Sequence, residues 1–201
     1  MTSGQPPSVT NNPALRTSRH SDWFFLAAAV VITLLFVWQR LASGIGGYRI
    51  YEVPSRSMEP TIRPGERIIV NHDYYRGRPL RRGDVIIIHR DRENLVATRL
   101  IGLPGDVVEV SDVATIVNGS VLQEPYAVHI NGGRPSYAAV GPLAIPEDEI
   151  FVMGDNRDMA FDSRYPGFER AETDDVKGRA SVIFWFDNRE RIGKKIEQSA
   201  K

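Results

Sequence analysis

The sequence predicts an all-β protein, built from folded antiparallel sheets or a barrel, behind one N-terminal transmembrane helix. Residues 48–186 contain short apolar runs separated by Gly, Pro, Asn and Asp, which is typical of closely spaced strands. No helical period of useful length occurs after residue 43. The one membrane-length apolar segment, residues 23–38, lies before these strands.

Composition limits the possible functions of this 201-residue chain. Its 25 basic and 25 acidic residues balance, so nothing indicates a nucleic-acid-binding surface. A hydrophobic content of 42% is enough for a core. The absence of cysteine excludes disulfides, a thiol nucleophile and a Cys-based zinc site. The sequence shows no metal-ligand cluster or nucleotide-binding loop, so we expect neither a metal nor another cofactor.

The N-terminal region predicts a tail and an anchor. Residues 1–22 are polar and are expected to be disordered. The following run is interrupted only by Thr33, so it lacks the polar face of a buried soluble helix. A cleaved signal peptide is the other alternative, but the run is long and Arg40 fits poorly beside a small-residue cleavage site. We therefore predict a signal anchor over 23–42.

Charges around the anchor leave its orientation open. Arg16 and Arg19 precede the apolar run, whereas Arg40 and Arg49 follow it. Of the two orientations we expect a cytoplasmic N-terminus. The protein would then be a single-pass protein of the plasma membrane, with its β domain on the extracytoplasmic face.

The predicted β domain spans residues 48–187. After a glycine-rich link, its strands are 48–53, 67–71, 84–89, 95–101, 107–110, 115–117, 120–122, 149–153 and 179–186. Asn118-Gly119 between two of these strands is the strongest short hairpin signal in the chain. Residues 188–201 are charged, and we expect a frayed tail there.

Four motifs occur in order along this domain. Residues 54–61 read Pro-Ser-Arg-Ser-Met-Glu-Pro-Thr, and residues 82–85 read Arg-Gly-Asp-Val. Residues 98–106 read Thr-Arg-Leu-Ile-Gly-Leu-Pro-Gly-Asp, and residues 154–164 begin Gly-Asp-Asn-Arg-Asp and end Asp-Ser-Arg. With these motifs behind an anchor, the chain resembles the bacterial type I signal peptidases. These are membrane-anchored serine endopeptidases that remove signal peptides from exported proteins.

The resemblance assigns roles to the first and last motifs. Ser57 falls on the nucleophile, whose hydroxyl attacks the scissile carbonyl and forms an acyl-enzyme. The backbone N–H of Ser57 and the hydroxyl of Ser55 are the implied oxyanion donors. Asp162 and Arg164 resemble the supporting ion pair and are expected to stiffen the floor of the site. Arg56 stands where the family usually has glycine, which implies either backbone strain or crowding of the cleft.

The general base is where the chain departs from the family. The family uses a lysine directly before the arginine of the third motif, and here that position is Thr98. No shift of alignment supplies the lysine, because the first lysine of the chain is Lys177. The family commonly holds that lysine with a serine hydroxyl, and the corresponding residue here is Ala160. Arg99, a supporting residue beside Thr98, stays protonated and cannot act as the base.

A histidine offers a poor substitute for the missing base. If 85–89 and 95–99 form a hairpin, His89 pairs near Leu95 and Thr98 pairs near Ile86. His89 then lies roughly 10 Å along the strand from the base position and on the opposite face of the sheet.

The resemblance also implies how substrate binds. A signal peptide would add as a strand between residues 52–55 and residues 95–97. Val53, Pro54 and Ala97 are candidate walls of small pockets beside the cut, although core packing explains Val53 and Ala97 equally well. The expected partners are signal peptides of exported precursors and membrane lipid.

The motifs leave two interpretations open. The chain is either a signal peptidase that uses Ser57 with an unusual base, or a catalytically silent relative that still binds signal peptides or a membrane partner. The intact Ser55 and Ser57 favour the first interpretation, whereas Thr98 and Ala160 favour the second. A self-cleaving repressor-type domain is disfavoured by the anchor and by the missing lysine.

Overall fold

The computed structural model describes residues 19–42, 47–90, 94–111, 114–129, 139–168, 170–185 and 189–197. The chain divides into two compact units after residue 45. Mostly β structure follows the division, as the sequence predicts.

The first unit contains a 24-residue helix, α1 (Arg19–Ala42). It begins four residues before the predicted anchor, since the N–H groups of a first helical turn need no intrahelical acceptor and polar residues are tolerated there. Thr33 satisfies its hydroxyl within the helix by donating to the carbonyl of Ala29 at 2.8 Å. Residues 1–18 of the predicted disordered tail lie outside the described part of the chain, and the prediction of disorder was wrong for residues 19–22, which belong to α1. Among the helices that the structure describes, none is long and apolar enough to cross a membrane.

The second unit is built from two antiparallel sheets. Their strands are β1 (Tyr48–Val53), β2 (Glu66–Asn71), β3 (Val85–His89), β4 (Leu95–Gly102), β5 (Val107–Val110), β6 (Thr115–Val117), β7 (Ser120–Val121), β8 (Val140–Ala144), β9 (Glu149–Met153), β10 (Ala171–Glu172) and β11 (Val176–Trp185). The larger sheet has the order β1-β2-β11-β3-β4-β9-β10, and the smaller sheet has the order β7-β6-β5-β8. Two short 3-10 helices occupy Thr173–Asp175 and Arg189–Arg191.

The sequence prediction missed two strands and placed one strand boundary wrongly by more than one residue. The pattern missed β8, which contains Gly141 and Pro142, because proline is tolerated only at a sheet edge such as the one β8 occupies. It also missed β10, which has only two residues. β11 begins three residues earlier than predicted, through an irregularity between Val176 and Gly178. A Cβ at Gly178 would lie 2.5 Å from the carbonyl oxygen of Asn71, so glycine permits this close approach.

The hairpin of β3 and β4 has the predicted register. His89 pairs with Leu95, and Ile86 pairs with Thr98. Side chains alternate between the faces of a strand, so His89 and Thr98 lie on opposite faces of the sheet. The predicted exclusion of His89 from the base position is therefore confirmed.

The core consists of three groups of buried side chains. One lies against β1, β2 and β11, a second joins the two sheets, and a third lies on β3, β4, β9 and β10. The first group includes Met58 and Ile62, which belong to the turn between β1 and β2 and are both fully buried. Each such side chain contributes roughly 1.5–3 kcal/mol by leaving water. The turn that carries the two serines is thus anchored in the core.

The C-terminal segment is ordered where the sequence predicts fraying. Ile183 in β11 donates to the carbonyl of Lys194 at 3.0 Å, and Gly193 donates to the carbonyl of Ile183 at 2.8 Å. Ile196 is buried in the first core group. The prediction of fraying was wrong for residues 189–197. A run of charged residues in the sequence does not show that one of its arginines forms an ion pair with a buried carboxylate elsewhere in the chain. Residues 198–201 lie outside the described part of the chain.

We expect Asp106→Asn to destabilise the β unit. Asp106 accepts hydrogen bonds from the Leu103 N–H at 2.5 Å, Arg82 Nη1 at 3.0 Å and Asn118 Nδ2 at 2.8 Å. Partial burial raises the pKa of Asp106, but these hydrogen bonds outweigh burial and lower the pKa below its ordinary value of 3.8. The loss at neutral pH is about 1–3 kcal/mol, as for hydrogen bonds to a charged group.

The contribution of Asp106 to the stability of the fold should decrease at low pH. A lowered carboxyl pKa stabilises the folded state above pH 3.8 and loses that contribution as pH falls through the folded pKa. Urea unfolding of wild type and Asp106→Asn should therefore differ at pH 7 and converge below pH 3.8. An equal difference at both pH values would contradict this account.

Candidate active site

Ser55 and Ser57 lie in the turn directly after β1. Their hydroxyl oxygens are hydrogen-bonded to each other at 2.9 Å. The turn leaves the sheet at Pro54, which has no N–H to donate to a ladder. Beyond the serines it closes on itself where the Ile62 N–H donates to the Met58 carbonyl at 2.8 Å. The local sequence thus lifts two hydroxyl groups off the end of a strand and fixes the chain behind them.

The turn after β9 packs directly behind Ser57. The Asn156 N–H donates to the Ser57 carbonyl at 2.9 Å. A side chain at Gly154 would collide with that same carbonyl oxygen and with the Cβ of Ala160. Only glycine allows the last motif to approach the serine turn this closely. The structure therefore joins motifs that lie about a hundred residues apart.

A cavity of about 160 Å³ opens beside Ser57. Residues from the serine turn, the β3–β4 hairpin and the chain after β9 line it: Ser55, Ser57, Arg90, Val96, Ala97, Thr98, Gly154, Met159, Ala160, Phe161, Asp162 and Phe168. We call this cavity the cleft. It brings together the positions that the sequence assigned to nucleophile, oxyanion donor, base and base holder.

Two predicted substrate-binding residues do not line the cleft. Val53 is 5% exposed and packs in the first core group, which was the alternative explanation for it. Pro54 is exposed but is not among the lining residues. Ala97 does line the cleft and also touches the core group. Val53 was a poor candidate because the alternation along β1 directs its side chain inward.

Asp162, which lines the cleft, forms a buried ion pair with Arg164. Arg164 Nη2 lies 2.8 Å from Asp162 Oδ2, and both side chains are buried. Asp162 also accepts from the Gly154 N–H at 3.0 Å, and Arg164 Nη2 donates to the Arg157 carbonyl at 2.9 Å. Both oxygens of Asp162 are engaged, so its carboxylate holds the last motif in shape and is a poor proton acceptor for Ser57.

A second buried ion pair joins β4 to the turn after β9. Arg99 binds Asp155 through Nε at 2.7 Å and Nη2 at 2.6 Å, and both residues are fully buried. The guanidinium stacks over the ring of Tyr126, with Cζ 3.7 Å from the ring centroid. Asp155 also accepts a hydrogen bond from the Thr61 hydroxyl. Arg99 is therefore a structural support below the site, on the face of β4 opposite to Thr98.

No residue that lines the cleft is a lysine or a histidine in the described chain. Thr98 is 5% exposed and presents a hydroxyl, which has no useful basicity at neutral pH. Ala160 is buried, and its methyl side chain cannot form a hydrogen bond. The geometry places a serine pair beside a cleft from which the expected base and its holder are both missing.

Arg56 neither strains the backbone nor fills the cleft. Among the described residues, Asn118 is the only non-glycine with a positive φ. The Arg56 side chain is directed to Glu59, with Nε 2.8 Å from Oε2, and 59% of it is exposed. Both consequences expected from the loss of glycine are therefore wrong.

Several lining residues were not predicted from the sequence. Val96 shares a face with Thr98 by strand alternation, so the pattern of β4 could have identified it. Arg90 follows β3, and its guanidinium lies 4.6 Å from the ring centroid of Phe161. Phe168 carries no local signal, because only tertiary packing brings it to the cleft.

Comparison with known proteins identifies the family of the chain. The family model described as signal peptidase, peptidase S26, matches residues 20–185. A probable signal peptidase I-2 of Synechocystis is 33% identical over 192 residues, which cover 88% of this chain and 83% of the relative. A signal peptidase I of Bacillus licheniformis is 37% identical over 144 residues, covering 67% and 75% of the two chains.

One solved structure is also similar. The crystal structure of a signal peptidase I from Enterococcus faecalis is 35% identical to the matched part, with a TM-score of 0.42. The match covers 50% of this chain and 96% of that structure. With the family model matching residues 20–185, the chain belongs to the signal peptidase family, peptidase S26.

Proposed function

We propose that this signal peptidase family member cleaves signal peptides from exported precursors, with Ser57 as the nucleophile. The observation that carries the proposal is the pair of serine hydroxyls, 2.9 Å apart, at the mouth of a cleft. A relative that had lost catalysis would not need to keep a second serine hydroxyl hydrogen-bonded to the first.

The free edge of β4 supports peptide binding by strand addition. Residues 95–98 pair with β3 on one side, and β9 pairs with β4 only from Arg99 onward. No strand of the described chain occupies the other edge of 95–98. An extended peptide on that edge would lie between β4 and the serine turn and would gain backbone hydrogen bonds. Ala97 and Val96 would then bound small pockets beside the cut.

The proposed reaction proceeds through an acyl-enzyme. Ser57 Oγ forms a bond to the scissile carbonyl carbon, the scissile C–N bond breaks, and the amine leaves with the proton that the Ser57 hydroxyl gives up. The negative charge that develops on the carbonyl oxygen would be stabilised by the Ser57 N–H and the Ser55 hydroxyl. Water then hydrolyses the ester and frees Ser57. No cofactor is needed for these steps.

Thr98 and Ala160 support a second candidate function. A serine hydroxyl is a weak nucleophile without an adjacent base, and the cleft offers none among the residues described. The alternative is a catalytically silent relative that binds signal peptides or a membrane partner through the same β4 edge. The two candidates differ in turnover and not in the surface that binds peptide.

We further propose a membrane location for the protein. The apolar run 23–38 supports an anchor, since described side chains from Phe25 to Phe36 are largely exposed apolar groups. The proposed topology is a single pass through the plasma membrane, with residues 1–22 in the cytoplasm. The β domain, 48–187, and the charged segment 188–201 would lie on the extracytoplasmic face, where lipid and exported precursors are the expected partners.

Ser57→Ala should abolish precursor cleavage. The variant removes the attacking oxygen and leaves Met58, the turn and the peptide-binding edge in place. Detergent-solubilised full-length protein is incubated with an exported precursor, and the products are identified by mass spectrometry. Cleavage at one site by wild type only supports the first candidate. Equal cleavage by both proteins would exclude Ser57 as the nucleophile, and peptide binding without cleavage by wild type would establish the silent relative.

Thr98→Lys combined with Ala160→Ser should raise the cleavage rate by about 10²-fold or more, the usual contribution of a positioned general base. Both positions face the cleft, so the new amine and its hydroxyl partner would meet beside Ser57. The same pair of changes in a Ser57→Ala background is the control and should stay inactive. An unchanged rate in the double variant would show that a missing base at these positions does not limit turnover.

The anchor is tested by alkaline carbonate extraction of membranes that carry the full-length chain. We expect wild type to stay in the membrane pellet. Val31→Lys with Leu34→Lys should release the protein, because each lysine near the centre of a spanning helix costs about 2.5–3.5 kcal/mol. Release of the wild-type chain by carbonate would contradict the anchor.

A further inference from the structure

Arg191 contacts the serine turn from more than a hundred residues further along the chain. It lies in the short 3-10 helix after β11 and is 9% exposed. Its Nη2 donates to the Thr61 carbonyl at 3.0 Å and to the Pro60 carbonyl at 3.3 Å. The same guanidinium binds both carboxylate oxygens of Glu66, through Nε to Oε1 and through Nη2 to Oε2 at 3.2 Å.

Glu66 extends this contact to the other end of the turn. It is fully buried at the start of β2 and accepts the Arg63 N–H at 2.8 Å. The Gly65 N–H donates to the Val53 carbonyl at 2.8 Å and closes the base of the loop. One ion pair therefore holds the backbone at residues 60, 61 and 63, just beyond the residues that carry the hydroxyls.

A second contact from the same segment reaches the same place. The Glu197 carbonyl accepts from Arg99 Nη1 at 2.9 Å. Arg99 binds Asp155, and Asp155 accepts the hydroxyl of Thr61. Thr61 is thus held through its carbonyl by Arg191 and through its hydroxyl by Asp155. The first connection is made by the segment 189–197 itself, and the second is supported by that segment through the hydrogen bond from Arg99 to the Glu197 carbonyl.

We propose that the segment 189–197 positions the nucleophile turn, with Arg191 as a positioning residue for cleavage. The proposal rests on the proposed function, because it takes Ser57 as the attacking residue. Met58 and Ile62 anchor the turn by apolar packing, which fixes where it sits but tolerates small rotations. The directional hydrogen bonds from Arg191 to two successive carbonyls restrict those rotations. A displacement of about 1 Å at a reacting atom can lower a rate about 10²-fold.

Removing both charges of the ion pair between Arg191 and Glu66 should affect the position of the turn more than the stability of the fold. A buried ion pair is often no more stabilising than apolar residues of similar volume, because desolvation offsets the Coulomb attraction. What an apolar pair lacks is a donor for the carbonyls of Pro60 and Thr61. Neutralising both partners should therefore free the turn while the fold is retained.

The test compares two neutralised ion pairs in the full-length protein. The first is Arg191→Met with Glu66→Gln, which removes both charges and keeps an acceptor for the Arg63 N–H. The matched control is Arg179→Met with Asp84→Asn, a pair with Nε 2.9 Å from Oδ1 that joins β11 to the start of β3 and makes no described contact with the serine turn. Arg191→Lys keeps the positive charge and a single donor nitrogen, and it serves as the conservative variant.

Each protein is measured for kcat, KM and thermal midpoint, and hydrogen–deuterium exchange is followed over residues 57–66. We expect the first pair to lower kcat by about 10–100-fold with KM within about twofold. Exchange in the turn should rise, Arg191→Lys should recover part of kcat, and the control pair should keep wild-type kcat. Equal losses of kcat in both pairs, in proportion to thermal midpoint, would overturn the proposal.

Hydrogen exchange keeps this test separate from the proposed function. If wild type does not cleave precursor, the proposed turnover fails but exchange in the turn still reports on positioning. Faster exchange over 57–66 in the first pair alone then supports a positioning role for Arg191. Unchanged exchange there would overturn it, whatever the activity of the wild type. If the first pair does not fold, Arg191→Lys alone supplies the same two readouts.

Discussion

The structure around the candidate site depends on the buried ion pair of Arg99 and Asp155. Arg99 belongs to β4, next to the base position, and Asp155 belongs to the turn that packs behind Ser57. Two charges without solvent access are tolerated only when nearly every donor and acceptor is used. Here the guanidinium binds the carboxylate twice, two backbone carbonyls and the face of Tyr126, while the carboxylate also binds Thr61. Because the buried pair is stable only with these contacts in place, it fixes the position of β4 relative to the serine turn.

This support contrasts with the chemistry it surrounds. The serine turn is held by core side chains, by the close approach of Gly154 and by Arg191, as a site that needs accurate geometry would be. The positions that should activate the serine carry a threonine and an alanine. These residues are small, so they leave the cleft open without adding a titratable group. Family membership therefore accounts for the scaffold more completely than for the activation of Ser57.

Much of the fold could be predicted because it follows from local alternation and turn residues. The register of β3 and β4 was predicted correctly, since the loop between them fixes which residues face each other. The β8 strand was missed because Gly141 and Pro142 carry no strand signal, and only pairing with β5 makes an edge strand of them. The C-terminal segment was mistaken for a frayed tail because its buried partner, Glu66, lies more than a hundred residues away. Val53 and Pro54 were predicted as walls of the cleft. The Val53 side chain instead lies in the core, and Pro54 is not among the lining residues.

The sequence by itself determined the class of fold, the order of the motifs and the identity of the two serines, because these depend on residue type and on spacing along one stretch of chain. It also determined that no lysine precedes Lys177. Tertiary structure alone decided which residues share the cleft and that Arg191 contacts the serine turn. These contacts join segments far apart in the chain, and their formation depends on burial and on hydrogen-bond partners that no local pattern encodes.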